Sequence, residues 1–507
     1  MTQRSSMAST SYVDGPGYHV TSAAEKDGVL TIDLALAAPS SDTPYGVDIA
    51  ELRVIVTQTQ RDMVRIKIVD RNAARWEVPG SLYPKGTLGS VEAASGDPRY
   101  SFHYTERPFT FQVVRTTDNS TIFDSSKLSL VVKDQYLQIS TAIESNQTVY
   151  GLGESTREHF KVDVDEKLTM WTRDQASADQ NVNTYGSHPF FLGVNTKGLA
   201  HGVFLFNSNG MDVTLEQDKL VYQVIGGVLD FHVMVGPTPA EVVKQYVSLI
   251  GKPKLMPYWS YGFHQCRWGY TSTADLRAVM TKYADNKLPL DVVWADIDYM
   301  HKYHDFSLDP DHFKQADMHA LVEELHRRGQ KLVPIVDPGI PIDQNDPAYT
   351  QGLEVDVFIK DTDGKPVRGK VWPGLTVYPD FLHPSAPEYW EQQCQRMHRM
   401  FAFDGIWIDM NELSNFMPGL APTDPDSNRF DHPPFAINNG NCRDGISQKT
   451  ISLTSLQHGG VRQYDAHNLY GFTEAIVTSS VLEKITNQRS FRRTHGALDW
   501  RQCLHME

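Results

Sequence analysis

Four cysteines, Cys266, Cys394, Cys442 and Cys503, are scattered over 507 residues, and no two form a C-x-x-C pair. That spacing excludes a zinc ribbon and a dense disulfide framework, and it leaves the redox compartment open. No stretch is apolar over the roughly 20 residues a bilayer-crossing helix needs, so no membrane span is expected. Met1 to Pro16 is polar and rich in Ser and Thr, without the apolar h-region of a signal peptide. A flexible N-terminus is expected over residues 1–17, and secretion is not encoded in it. Two sequons, Asn119-Ser120-Thr121 and Asn146-Gln147-Thr148, are compatible with a secreted protein. Basic residues are outnumbered, 47 Lys and Arg against 62 Asp and Glu, for a net charge of -15. A nucleic-acid or anionic-membrane partner wants a basic face, so neither is expected, whereas a neutral substrate is compatible with the charge. Internal repeats and low-complexity segments are also missing.

What is present is an ordinary globular composition, 40% hydrophobic and 21% charged, in a chain long enough for two or three domains. From residue 18 to about 252 the pattern is short and alternating. Leu52, Val54 and Val56 alternate with polar neighbours, as do Val64, Ile66 and Ile68 beyond a polar turn, and Phe109, Phe111 and Val113. Period-two alternation between turn signals predicts antiparallel strands packed as a β-sandwich. Trp171 to Asp174 and Tyr185 to Phe190 carry too many polar and turn residues for core strands and read as loops.

After Pro253 the period changes. Tyr261 to Arg267 reads as a strand, and Ser272-x-x-Asp275 as a helix start ahead of Leu276, Val279, Met280 and Tyr283 at helical spacing. A buried strand, Leu290 to Trp294, leads to Asp296 and Asp298. Met318, Leu321, Val322 and Leu325 mark the next helix, closed by Gly329. Leu332 to Val336 is a third strand, ending at Asp337. Ser385-x-x-Glu388 opens another helix, which delivers the chain to Asp404-Gly405-Ile406-Trp407-Ile408-Asp409-Met410-Asn411-Glu412. Strand-helix alternation with polar residues at each strand's carboxyl end predicts a (β/α)₈ barrel. A doubly wound sheet is the competitor, but no Gly-rich nucleotide fingerprint follows any of these strands. The fold class is thus α/β plus β: a sandwich over 18–252, then a barrel over 253–489 with an insert around 339–384.

The apolar run that breaks into carboxylates at Asp409 points to chemistry, the alternative being a strand followed by a helix cap. W-I-D-M-N-E resembles the nucleophile signature of glycoside hydrolase family 31, the α-glucosidase family. The resemblance implies a retaining hydrolase, in which two carboxyl groups roughly 5 to 5.5 Å apart share the work. It implies Asp409 as nucleophile, with Glu412 in a supporting role. It implies an oligosaccharide substrate bound by Asp174 on a sandwich loop, by Asp296 and Ile297 in W-A-D-I-D-Y-M, by Trp268 in F-H-Q-C-R-W-G-Y, and by Ile340, Trp372, Trp407 and Met410. The bland readings are a surface ion pair for Asp174, a helix cap for Asp296 and core packing for each tryptophan. Asp298-Tyr299-Met300 resembles the maltase-type members, which implies terminal α-linked glucose as substrate. An α-xyloside substrate, transglycosylation and a non-catalytic carbohydrate-binding remnant are the alternatives. No metal or organic cofactor is implied, since two carboxyl groups suffice.

The resemblance covers roughly Tyr18 to Arg489, including Tyr464-Asp465-Ala466-His467-Asn468-Leu469-Tyr470-Gly471. It implies a further strand with a pocket arginine in R-S-T-F, then H-W-x-G-D-N with the acid/base aspartate. The chain instead reads Ser490-Phe491-Arg492-Arg493-Thr494-His495-Gly496-Ala497. Leu498 to Glu507 can be encoded by CTG GAT TGG AGA CAA TGC CTC CAC ATG GAG, and one nucleotide later the same bases read W-I-G-D-N-A-S-T-W. Residues 490–507 are therefore expected to be a frame-shifted tail, the acid/base to be absent, the barrel to be incomplete, and the strand ending at Asp409 to be left as an exposed edge.

Overall fold

The structure is a computed structural model that describes residues 12–39, 45–82, 97–176, 178–417 and 428–494. Its first half is β-rich, as the alternation predicts. Glu51–Gln60 and Met63–Asp70 pair antiparallel with Val54 opposite Ile68 and Val56 opposite Ile66. Those four side chains and Leu52 are buried, whereas their alternating neighbours are half-buried. Both strands belong to an eight-stranded sheet, and a five-stranded sheet runs from Glu166–Met170 through Met211–Leu215 and Lys219–Val224 to Leu137–Ala142 and Val131–Val132. Leu52, Ile66, Val203 and Phe231 of the larger sheet share one core with Leu137, Ile139, Val213 and Tyr222 of the smaller. Packing two inner faces in this way is what makes the alternating pattern stable.

The helix Pro239–Ile250 closes this half behind a full capping box, Thr238 with Glu241. Beyond it the hydrogen-bonding pattern becomes parallel. Five strands lie in the order His264–Gln265, Val292–Ala295, Lys331–Val336, Ile406–Ile408, Arg492–Thr494. Helices Thr273–Asp285, Gln315–Arg327, Ala386–Met400 and Tyr470–Thr486 connect them. Ser272 caps the first through Asp275 N–H, and Gly329 follows the second with φ +75°, both as the sequence indicates. Ser385 makes no such cap: it has helical φ and ψ and no side-chain bond to the helix, because Ala386 and Pro387 already fit the first turn. The strand expected over 261–267 is reduced to His264–Gln265, with a short 3₁₀ turn at Tyr258–Tyr261 before it.

One expectation is corrected. The strand ending at Asp409 is not an edge, for Ile406, Trp407 and Ile408 pair in parallel with Arg492, Arg493 and Thr494. Parallel pairing uses backbone groups, so a short extended run returning from a helix suffices without the R-S-T-F motif. Phe491 anchors the run against Trp259, His264 and Trp294. Gly405 makes the approach possible, since a Cβ there would lie 2.7 Å from the Phe491 ring and 2.8 Å from its carbonyl oxygen. The expectations for His495 to Glu507 lie outside the described residues.

Between the third and fourth strands the chain forms a separate three-stranded sheet, Ile340–Pro341, Gly369–Val371 and Gly374–Val377, together with the helix Pro347–Glu354. Among the described residues no helix is long and apolar enough to cross a membrane.

Candidate active site

Asp409 follows Ile408 at the carboxyl end of its strand, with its N–H donating to Val336 O at 3.3 Å. The backbone then turns sharply, with Met410 at φ 58° and Leu413 at φ 61°. This folds Asn411 and Glu412 inward, to 0% and 2% exposure, while Asp409 and Met410 stay half-buried. Positive φ at non-glycine residues is strained and clusters where function demands it.

Neighbouring strand ends bring more carboxylates to the same place. Asp296 follows Ala295, and its Oδ1 accepts from Ile297 N–H at 2.7 Å, so it is a cap as well as a site candidate. Burial, and then the charges of Asp298 and Asp409, push Asp296 up to about 6. Burial, and then Asp409, push Glu412 up to about 8, with Asp174 contributing. Asp337, at the end of the third strand, donates its N–H to Asp305 Oδ1 at 2.7 Å. Both side chains are fully buried, and burial raises both well above the usual carboxylate range. Glu474, on the helix Tyr470–Thr486, is raised likewise by burial, with Asn411 and Arg492 pulling the other way.

Asp174 arrives from the sandwich. Its carboxylate accepts from Tyr185 OH at 2.9 Å and from Lys449 Nζ at 3.3 Å. It therefore makes the surface ion pair of the bland reading and still lies close enough to raise Glu412.

An aromatic rim is tied to the same strand ends. Trp268 is 62% exposed and Trp372 is 40% exposed, with ring centroids 6.2 Å apart. Trp372 sits at the tip of the insert hairpin, flanked by Tyr303 at 6.4 Å and Phe416 at 4.9 Å. Two backbone ties hold this rim to the strand ends: Gly269 N–H donates to Asp298 at 2.8 Å, and Lys370 N–H to Asn415 Oδ1 at 2.8 Å. Large aromatics left exposed beside carboxylates suit the apolar faces and hydroxyl groups of a sugar.

The remaining candidates lie deeper. Ile297 and Ile340 are buried in the barrel core, at 3% and 0% exposure, so they back the site and do not line its surface. Trp407 is half-buried against Trp294, at 5.5 Å, which is the core packing of the bland reading. Residues not assigned to the site from sequence are Asp305, Asp337, Glu474, Arg492, Tyr185, Lys449, Tyr303 and Phe416. Asp337 carried a signal, since it ends a strand as Asp296 and Asp409 do. Glu474 carried a weaker one, an acid among the apolar residues of a helix. Among the described residues no group of three or more His, Cys, Asp or Glu side chains is arranged to hold a metal ion. Two cavities, of about 530 and 470 Å³, touch the site's outer members, Arg492 lining the first and Asp305 the second, and neither is lined by Asp409, Asp296 or Trp268.

Comparison with known proteins yields two family models. Residues 53–213 match the glycosyl hydrolase 31 N-terminal galactose mutarotase-like domain, and residues 253–497 match the glycosyl hydrolases family 31 TIM-barrel domain. The second match extends beyond Arg489, where the sequence resemblance was expected to end. A probable alpha-glucosidase of Oryza sativa subsp. japonica is 40% identical over 94% of this chain and 55% of its own length. Alpha-xylosidase 1 of Arabidopsis thaliana is 39% identical over 94% of this chain and 56% of its own. The chain thus spans about half the length of the curated relatives it matches. Among solved structures, the glucosidase II alpha subunit shares the fold with a TM-score of 0.78 at 20% identity, covering 97% of this chain and 60% of that one.

Proposed function

Because this chain belongs to glycoside hydrolase family 31, we propose that it carries the sugar-binding and nucleophile residues of a retaining α-glucosidase-type site, acting on terminal α-linked glucose. The observation that carries the reading is that Asp296 and Glu412 both lie near Asp409, with Asp174 near Glu412, while the segment of exposed Trp268 is tied to Asp298 and Trp268 neighbours Trp372. Asp409 attacks the anomeric carbon as the bond from that carbon to the leaving group breaks, the leaving oxygen departing with a proton or fluoride departing without one, and the glycosyl ester so formed is hydrolysed by water with net retention. The carboxylate of Asp409 itself faces the positive charge that develops on the ring, while Glu412, pushed up to about 8 by burial and by Asp409, holds its proton and leaves that charge to Asp409. Asp296 and Asp174 take sugar hydroxyls, and the two indoles stack on the ring faces.

The nearly equal identity to an α-glucosidase and an α-xylosidase favours a second reading, an α-xyloside substrate. One experiment separates the readings. Fluoride leaves a glycosyl fluoride without needing a proton, so α-glucosyl fluoride tests the nucleophile whatever residue supplies the acid. Fluoride release with α-glucose as first product by NMR supports the proposal. Faster release from α-xylosyl fluoride transfers the site to xylosides. Saturable binding without release from either makes the chain a carbohydrate-binding remnant, and neither binding nor release overturns all three.

A further inference from the structure

The run Tyr464 to Gly471 has no place in the chemistry above, yet its centre is fully buried: His467 and Asn468 are each 1% exposed. Both reach into the sandwich. Asn468 Oδ1 accepts from Thr172 N–H at 2.9 Å, and its Nδ2 donates to Met170 O at 3.2 Å and Ser208 O at 3.1 Å. Its amide is thereby satisfied at both ends by the other half of the molecule. His467 Nε2 donates to Thr172 O at 2.8 Å, and its ring stacks on Trp171 with centroids 4.0 Å apart and planes 16° apart. Burial holds this imidazole neutral, at about 4, so the Nε2–H tautomer is the one that serves Thr172. Adjacent residues of the barrel thus hold both backbone groups of Thr172.

The grip falls just past the end of a sheet strand, where the sandwich's own hold is limited to loop residues such as Asn183, whose Nδ2 donates to Trp171 O at 2.5 Å. The strand Glu166–Met170 ends at Met170, and Asp174 lies four residues on. Between them the backbone is held from outside the sheet. Arg173 N–H donates to Thr184 O at 3.0 Å, Trp171 Nε1 to Ile446 O at 3.1 Å, and the Arg173 guanidinium pairs with Asp444 at 2.7 Å. The other side of His467 reaches the nucleophile's own turn, since Nδ1 lies 3.5 Å from Thr450 Oγ1, which donates to Leu413 O at 2.8 Å.

We propose that His467 and Asn468 are positioning residues, which grip Met170 to Thr172 from the barrel side and so set Asp174 beside the turn that follows Asp409. The sugar site is then conditional on domain docking: the barrel supplies the nucleophile and also fixes where the sandwich's carboxylate stands. This inference rests on the reading of Asp174 as a sugar ligand.

The test is Asn468→Ala in the full chain, with deuterium uptake and maltose affinity as paired readouts. Removing the amide strands Thr172 N–H, so uptake across residues 170–175 is expected to accelerate at least about tenfold while the sheet strands stay protected. Maltose Kd is expected to rise about fivefold, and to rise no further when Asn468→Ala is added to Asp174→Ala. Unchanged uptake overturns the proposal. So does an equal rise in Kd with and without Asp174, which would make Asn468 a general stabiliser. His467→Gln keeps a donor for Thr172 O and loses the ring on Trp171, so it carries the same readouts if Asn468→Ala does not fold. If the parent chain binds no maltose, the sugar-site reading fails, and the grip on the loop stands or falls on uptake alone.

Discussion

Three acids of the sandwich and three under the barrel's strand ends are treated in opposite ways. Each of the three in the sandwich stands beside a cation. Asp48 meets Lys133 at 2.8 Å with both side chains nearly inaccessible, Asp230 is held by two nitrogens of Arg65 at 2.6 and 2.8 Å, and Asp33 meets Arg53 at 2.7 Å. The Arg53 hydrogen bond keeps Asp33 below the usual carboxylate range. Under the barrel's strand ends, Asp305, Asp337 and Glu412 each keep a buried oxygen with no hydrogen-bond partner among the described residues, and each is pushed upward by burial. A scaffold stabilises itself by matching charges. Under the strand ends burial favours the protonated forms of these acids, so their ionised forms are the costly ones.

The largest effect expected from this contrast is at Asp409. Asp409→Asn preserves shape and removes the proposed nucleophile, so fluoride release from α-glucosyl fluoride should fall at least about a thousandfold while maltose affinity changes little. A fluorinated glucosyl fluoride that stalls the ester should label the parent chain on the peptide containing Asp409 and leave the variant unlabelled by mass spectrometry. Asp33→Asn, the same change in the matched region, should leave release within about twofold and lower only the melting temperature. Label on another acid would remove Asp409 from the role.

The next effect is on stability, and its sign should differ between the halves. Lys133→Met leaves Asp48 buried without its cation and should cost about 3–5 kcal/mol at neutral pH. Glu412→Gln should do the reverse. Its folded-state value of about 8 lies above the unfolded 4.5, so the folded protein retains a proton that the unfolded chain has released. Stability from this group is complete below pH 4.5 and is lost as pH rises toward 8. Glutamine has no such dependence, so the variant should melt with the parent at about pH 4 and exceed it by on the order of 2–4 kcal/mol at about pH 8. Equal melting curves at both pH values would mean that Glu412 has a partner at neutral pH, and the contrast would fail at that residue.

The same difference governs what could be read in the chain beforehand. Alternation is a local signal, so Leu52, Val54, Val64 and Ile66 announced their strands. The helix start at Ser272 and the stop at Gly329 were equally local. Asp296, Asp337 and Asp409 were legible as strand ends, but the hydrogen bond from Asp337 N–H to Asp305 was not, because Asp305 lies in a loop that folds back from another strand. Arg492–Thr494 was misjudged for a related reason. The family's motif is missing there, whereas a parallel strand needs only backbone groups and one apolar anchor, Phe491. Ser385 failed as a cap because the motif is permissive and Pro387 makes it unnecessary. The contacts between the halves, such as His467 on Trp171, were the least legible, since they join residues far apart in the chain.

The smallest effect tests whether the aromatic rim belongs to the site or to the scaffold. Phe111, in the sandwich, is buried and stacked on Phe123 at 5.1 Å, so Phe111→Ala should cost about 3–5 kcal/mol of stability. Trp372 is 40% exposed at a hairpin tip, where it meets Phe416 edge-on at 80°. The hairpin's own pairing, Val371 with Gly374 and Lys370 with Leu375, does not involve the indole. Trp372→Ala should therefore lower the melting temperature by no more than about 2 °C, a cost within the range of a surface substitution. A ring that stacks on a sugar face contributes about 0.5–1.5 kcal/mol, so maltose Kd should rise about two- to tenfold. Trp372→Phe keeps an aromatic face and should recover most of that loss. If Trp372→Ala instead lowers stability as much as Phe111→Ala does and leaves maltose affinity unchanged, the rim is packing, and the exposed indoles lose their place in the proposed site.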